Sequence, residues 1–209
     1  NTLIITFFAI ILSVILGTLI AIVSVIGRDV ADAGLYSCGG IVTQEGIPFG
    51  GHHIDKGICQ YLQEKYQIMI GLDQAEKLKS EVISLKAADG QATFTIRGRR
   101  IRDGVEVVVE LSTEELRPVM QRILQPVLKL IRRVLREAKP EMAGDLLKNG
   151  LLLSGGSALL DGLKDWLAGE LHMPVFVPAL PGEVLAMGCY QALGMYKDLP
   201  LLIENGEKY

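Results

Sequence analysis

LLLSGGSALLDGLKDWL, from Leu151 to Leu167, is the stretch whose reading decides this chain. An apolar strand-like run meets Gly155-Gly156 and opens into a helical pattern. Paired glycine at such a turn lets backbone approach a ligand closely, because glycine has no Cβ and the first helical N–H groups lack a partner. One reading is a nucleotide cradle; the other is a tight strand-to-helix connection without a ligand. The rest of the chain has to separate them.

With 209 residues the chain forms one large domain or two small ones and is long enough to bury a real core. Its formal net charge is −3, with both signs mixed throughout, which argues against a nucleic-acid partner. The one basic cluster, Arg97, Arg99, Arg100 and Arg102, lies between two strand-like segments and reads as a solvated hairpin end. Cys38, Cys59 and Cys189 are scattered and odd in number, which points to a reducing compartment rather than a disulfide framework or a zinc site. His52-His53 with Asp55 suggests a metal at first glance, but neighbouring residues point to different sides of a helix. No metal ligand and no catalytic residue is assigned.

Asn1 to Gly27 contains no charged residue and is dominated by Leu, Ile, Val, Phe and Ala. A helix of that length crosses a hydrocarbon core of about 30 Å, so residues 1–27 predict one transmembrane helix. Thr6, Ser13, Thr18 and Ser24 can return their hydroxyls to the backbone, and Gly17 is ordinary in a membrane span. A signal peptide would need a basic start and a shorter apolar core; a buried helix of a water-soluble domain is the other alternative. The opening residue is Asn rather than Met, which predicts further sequence upstream.

After a junction at 28–33, strands and helices alternate. Gly34 to Cys38 and Ile41 to Phe49 predict two strands with Gly39-Gly40 as their turn. A helix is expected from His52 to about Gln67 with Ile54, Ile58, Tyr61 and Leu62 on its apolar face. Asp73 with Glu76 forms a capping-box pattern ahead of Leu78 and Val82, and Ser112 with Glu115 forms another. The second box opens a long helix reaching about Ala138, bent or interrupted near Pro118 and Pro126. Between the two boxes lie strand patterns at Ala92 to Arg97 and Val105 to Leu111. Pro140 starts a short helix; strand Gly150 to Leu153, helix Ala158 to Leu171, strand Val175 to Val177 and helix Glu183 to Met195 follow. The class is α/β with a small α+β insert: core at 34–71 and 112–196, insert at 72–111, tail at 197–209.

Three elements recur at intervals that suit a nucleotide cleft. Gly50-Gly51 with Asp55 places a glycine turn at a helix N-terminus, where partial positive charge favours phosphate or a phosphate-bound cation. Glu76 and Lys79, three apart, share a helix face; the carboxylate can accept from ribose hydroxyls and the lysine stem can lie over a base. A surface ion pair is the plainer reading of those two. Gly155-Gly156 is the third element.

The segments IVTQEGIPFGGHHID, AEKLKSEV, EELRPVMQRILQPVLKLI, KPEMAGDLLKNGLLLSGGSALLDGLKDWL and PVFVPALPGEVLAMGCYQALG, in that order, resemble the second half of the actin-like ATPase superfamily, within it the bacterial rod-shape MreB branch. The resemblance implies an actin-like, ribonuclease H-like half-fold with ATP, and Mg, held between two halves. It implies Gly155, Gly156 and Ser157 at the adenosine, Glu76 and Lys79 at ribose and base, and Gly50, Gly51 and Asp55 on the phosphate side. Ala186 and Gly188 resemble a hinge segment. Implied partners are further copies in a filament, or the other actin-like half, together with cell-wall elongation proteins and the cytoplasmic face of a bacterial membrane.

Two departures qualify this. The family's first half, with its own phosphate loop, is expected before this region. The loop of form D-x-G-x-G-T-T that opens the second half is not intact in DVADAGLYSCGG, so Asp32 receives no metal or catalytic role. Weak ATP binding and no hydrolysis are therefore expected. The apolar start is similar to a membrane span of amino-acid transporter permeases, which raises a fusion of two coding fragments between Ile26 and Gly34. A sugar-kinase-like enzyme and a nucleotide-independent membrane scaffold are the alternative functions.

Overall fold

The apolar start does not continue as a helix to Gly27: Ile20–Ile26 is a β-strand at the centre of a sheet. The computed structural model describes residues 20–37, 40–86, 93–184, 186–188 and 190. In chain order the strands are β1 (Ile20–Ile26), β2 (Ala31–Ser37), β3 (Gly40–Ile47), β4 (Ile68–Met69), β5 (Thr93–Arg100), β6 (Glu106–Ser112), β7 (Leu151–Ser154) and β8 (Val175–Phe176). The helices are α1 (Gly51–Tyr66), α2 (Leu72–Lys77), α3 (Thr113–Ile123), α4 (Gln125–Arg136), α5 (Ala143–Asn149) and α6 (Leu163–Leu171). A π turn at Leu78–Val82 continues α2, and 3-10 turns occupy Pro140–Met142 and Gly156–Leu159.

Five strands form one sheet in the order β3-β2-β1-β7-β8. β1 pairs antiparallel with β2 and parallel with β7, so it has a neighbour on each side. Ile22, Val23 and Ile26 are fully buried. A strand covered on both faces reads as an unbroken apolar run, which is why it passes for part of a membrane helix. β-Branched Ile20, Ile22, Val23, Val25 and Ile26 suit the pleated conformation better than a helix. Among the described residues no helix is long and apolar enough to cross a membrane. Residues 1–19 of the expected span lie outside the described residues, as do Cys38, Gly39, Cys189 and the tail 197–209.

The expected junction at 28–33 is divided between two elements. Gly27 N–H donates to Val30 O at 2.9 Å, closing a turn, and β2 begins at Ala31. β2 and β3 then form the expected antiparallel pair. A second sheet, order β4-β5-β6, takes in Ile68–Met69 ahead of Leu72. Its Ile68, Ile96 and Leu111 belong to the same apolar core as the large sheet.

The helices take their places through apolar stripes. α4 buries Val127, Leu128, Leu130, Ile131 and Val134, the three- and four-residue spacing of one helix face, against β2 and β3. α5 packs on β1, and α6 packs on β8 and α4. The long helix is interrupted at Leu124 because Pro126 has no N–H to continue the ladder.

Of the two expected capping boxes, Asp73 with Glu76 does not form and Ser112 with Glu115 forms by half. α2 starts at Leu72 with Gly71 as its cap, so Asp73 sits inside the first turn; the Gln74 carboxamide accepts from Gly71 N–H at 3.2 Å. Ser112 Oγ does accept from Glu115 N–H at 3.2 Å. Glu115 does not reciprocate, because Oε1 accepts from Tyr61 Oη at 2.5 Å, Tyr66 Oη at 2.6 Å and Lys65 Nζ at 2.8 Å. Charge-assisted bonds to three donors outweigh one backbone N–H. They tie α1 to α3. Partial burial pushes the Glu115 carboxyl up, but the bonds from Lys65, Tyr61 and Tyr66 together hold it below the usual glutamate range.

The expected helix from Ala158 to Leu171 is two pieces. The 3-10 turn stops at Leu160, whose backbone is extended, and Gly162 at φ 76° starts α6. The chain between them is pinned from outside: Asp161 O accepts from Leu85 N–H at 2.9 Å, and its carboxylate pairs with Lys86 at 2.6 Å.

Candidate functional site

Where the ends of β1 and β7 meet the start of α1, a cleft of about 580 Å³ opens. Its lining includes Gly51, Asp55, Glu76, Lys79, Gly156 and Ser157, six of the eight residues singled out from sequence. They come from α1, the α2 region and the turn after β7, the first and last of them, Gly51 and Ser157, more than a hundred residues apart in the chain. Only the sheet brings them together. Gly50 and Gly155 do not line it; each supports its neighbour from behind. A Cβ at Gly50 would lie 2.5 Å from the Arg28 carbonyl carbon and oxygen, and one at Gly155 would lie 2.4 Å from Ile26 O.

The wall formed by α2 and its π turn differs from the sequence reading in one respect. Lys79 does not pair with Glu76. Its Nζ lies 2.7 Å from Asp55 Oδ1 and donates to Gly51 O at 3.3 Å. The side chains of Lys79 and Asp55 are 14% and 7% exposed, so this contact is buried and attraction between the charges is strong. Asp55 Oδ1 accepts no hydrogen bond among the described residues, so what holds it to Lys79 is the attraction of the two charges. Glu76 and Asp73, both exposed, carry the acidic charge of this wall. Ser80 Oγ donates to the backbone Glu76 O at 2.9 Å, and among the described residues the Glu76 carboxylate has no hydrogen bond or ion pair, so it can accept from a ligand.

The opposite wall contains residues that sequence reading missed. Gly27 and Arg28 line the cleft from the β1–β2 turn, the segment assigned to the membrane span and junction. A strand pattern of β-branched residues ending at Gly27 was the available signal, masked by the length of the apolar run. Gly27 O accepts from Gly51 N–H at 2.9 Å and Ser157 Oγ at 3.4 Å, and Arg28 O accepts from His52 N–H at 2.8 Å. This turn therefore fastens both glycine turns to one point.

Leu72 and Leu159, at 41% and 69% exposure, give the cleft apolar surface on α2 and on the turn after β7. Apolar surface with a few placed polar groups, in a volume of this size, fits a nucleoside-sized ligand. Among the described residues no group of three or more His, Cys, Asp or Glu is placed to hold a metal ion. Asp32 lies outside this cleft; burial pushes its carboxyl up, and its Oδ1 rests where a Cβ on Gly46 would stand.

A five-stranded mixed sheet, helices packed on it, a small second sheet and glycine turns converging on one cleft define an actin-like α/β fold. The sequence profile described as MreB/Mbl protein matches residues 15–200, and the chain belongs to that family. The match begins inside the apolar run expected to be foreign to the family, which agrees with β1 being part of the fold. The chain is 30% identical to the cell shape-determining protein Mbl of Bacillus subtilis (strain 168) over 84% of its own length and 53% of that protein. To the cell shape-determining protein MreB of Escherichia coli (strain K12) it is 31% identical, over 81% of its length and 49% of that protein. Among solved structures, MreB5 of Spiroplasma citri bound to ADP superposes with a TM-score of 0.85 at 26% identity, covering 96% of this chain and 60% of that one. The chain spans about half the length of the curated relatives it matches.

Proposed function

We propose that this chain supplies one side of the nucleotide cleft of an actin-like, filament-forming protein that determines bacterial cell shape. The observation that carries the reading is the convergence of Gly51, Asp55, Glu76, Lys79, Gly156 and Ser157 on one cleft. In this reading adenosine lies against Gly156 and Ser157, its base in apolar contact with Leu72 and Leu159. Glu76 accepts from the ribose hydroxyls. Lys79 contributes its stem, its charge being spent on Asp55, and Gly51 keeps its wall open because a Cβ there would approach Ser157 Oγ and Lys79 Nζ at 3.3 and 3.4 Å. ADP in the related MreB5 supports the ligand class.

The large sheet with its helices would be the core subdomain, the β4-β5-β6 sheet a smaller inserted one. Family membership supports self-association into filaments, and cell-wall elongation proteins and the membrane's cytoplasmic face are the other proposed partners. Membrane attachment would rest on the apolar residues 1–19. Weak ATP binding without turnover is the expected state of this chain, since positioned amides and an oriented water dominate phosphoryl transfer. Calorimetric titration of the full chain with ADP and ATP, beside a phosphate-release assay, tests this. Binding of adenine nucleotides without turnover supports the proposal; absence of any nucleoside binding overturns the cleft assignment.

A further inference from the structure

The first amides of α1 are the obvious place for an anion, and they are already taken. Gly51 N–H and His52 N–H donate to the carbonyls of Gly27 and Arg28, and His53 N–H donates to Gly50 O at 2.9 Å. An anion would have to displace the turn that fastens α1 to β1, so the helix terminus cannot act as the cradle that its glycines suggest. Lys79 is no better placed, being held by Asp55. Arg28 differs from both. It lines the cleft, is exposed, and its guanidinium makes no ion pair or hydrogen bond among the described residues.

The remaining charge of the cleft fixes an orientation. Asp73 and Glu76 put negative charge on the α2 wall, which repels phosphate and accepts from hydroxyls. Arg28 puts uncommitted positive charge on the wall of the β1–β2 turn. Guanidinium presents several N–H donors in a fixed fork that suits phosphate oxygens.

We infer that Arg28 is the phosphate-contacting residue of this cleft, its side chain standing in for backbone amides that the same turn has consumed. This rests on the nucleotide reading above and adds to it which end of the cleft takes the di- or triphosphate, and how. Because only the side chain of Arg28 is used, replacing it leaves the two turn carbonyls in place.

The test is calorimetric titration of the full chain and of its Arg28→Ala and Arg28→Lys variants with ADP and with adenosine. ADP affinity falls about tenfold in Arg28→Ala, the scale of one charge-assisted contact. Adenosine affinity is unchanged, and Arg28→Lys recovers part of the loss as a point charge without the fork. An equal ADP-to-adenosine ratio in parent and Arg28→Ala overturns the assignment while leaving the nucleotide reading intact. Failure of the parent chain to bind either ligand overturns both. Matching melting curves establish that the variants are folded.

Discussion

Gly50-Gly51 and Gly155-Gly156 are the same dipeptide at two helix starts, yet their four residues do different work. In each pair the first glycine is crowded by backbone: Gly50 against the Arg28 carbonyl, Gly155 against Ile26. In each the second faces the cleft. The pairs differ in conformation and in room. Gly155 has φ 89°, which disfavours any side chain, whereas Gly50 at φ −168° has ordinary extended backbone and is constrained by contact alone. Gly51 has neighbours within 3.4 Å of a notional Cβ; Gly156 has none within 4 Å. Identical letters thus encode one conformational requirement, one steric requirement and two surfaces.

The largest effect expected from this contrast is at Gly155. Alanine there meets both a left-handed φ and the Ile26 backbone, and a loss of about 3 kcal/mol in urea unfolding is expected. Gly50→Ala meets backbone without the conformational penalty, and a smaller loss, about 2 kcal/mol, should follow. If the two variants prove equally stable, the distinction between conformation and contact is lost.

Glu115 sharpens the comparison by testing the far end of α1, away from both glycine pairs. Its folded carboxyl titrates below the ordinary value of 4.5, so its contribution is present above that pH and is lost as pH falls through the folded value. Glu115→Gln should cost about 1 kcal/mol at neutral pH and progressively less in acid, where parent and variant converge. Unfolding curves at neutral pH and near pH 3 check it, and a pH-independent difference would refute the ionic account. The smallest stability effect is at Gly156. Alanine there stays within about 0.5 kcal/mol of the parent, yet its methyl enters the cleft and should weaken ADP binding. Unchanged ADP affinity would remove Gly156 from the proposed adenosine wall.

Much of the architecture was legible in sequence where a local signal decided it. The α4 stripe of Val127, Leu128, Leu130, Ile131 and Val134 and the Pro126 interruption follow from helical period and the missing N–H. The β5–β6 hairpin follows from its β-branched alternation. β1 was not legible, since an apolar strand buried on both faces lacks the two-residue alternation that separates strand from helix. That error concealed Gly27 and Arg28, and with them one wall of the cleft.

By itself the sequence determined which residues could stand at a nucleotide site: glycines able to admit backbone or ligand, Glu76 able to accept, Lys79 and Asp55 able to carry charge. Tertiary structure decided how those capacities are spent. Pairing β1 with β2 and β7 carries the Gly27–Val30 turn onto the start of α1, where its carbonyls occupy the helix amides. Folding also sets Lys79 against Asp55 rather than Glu76, because a buried carboxylate gains more from a cation than an exposed one does. Such competition between partners is settled by distance and burial, and neither is written in the order of residues.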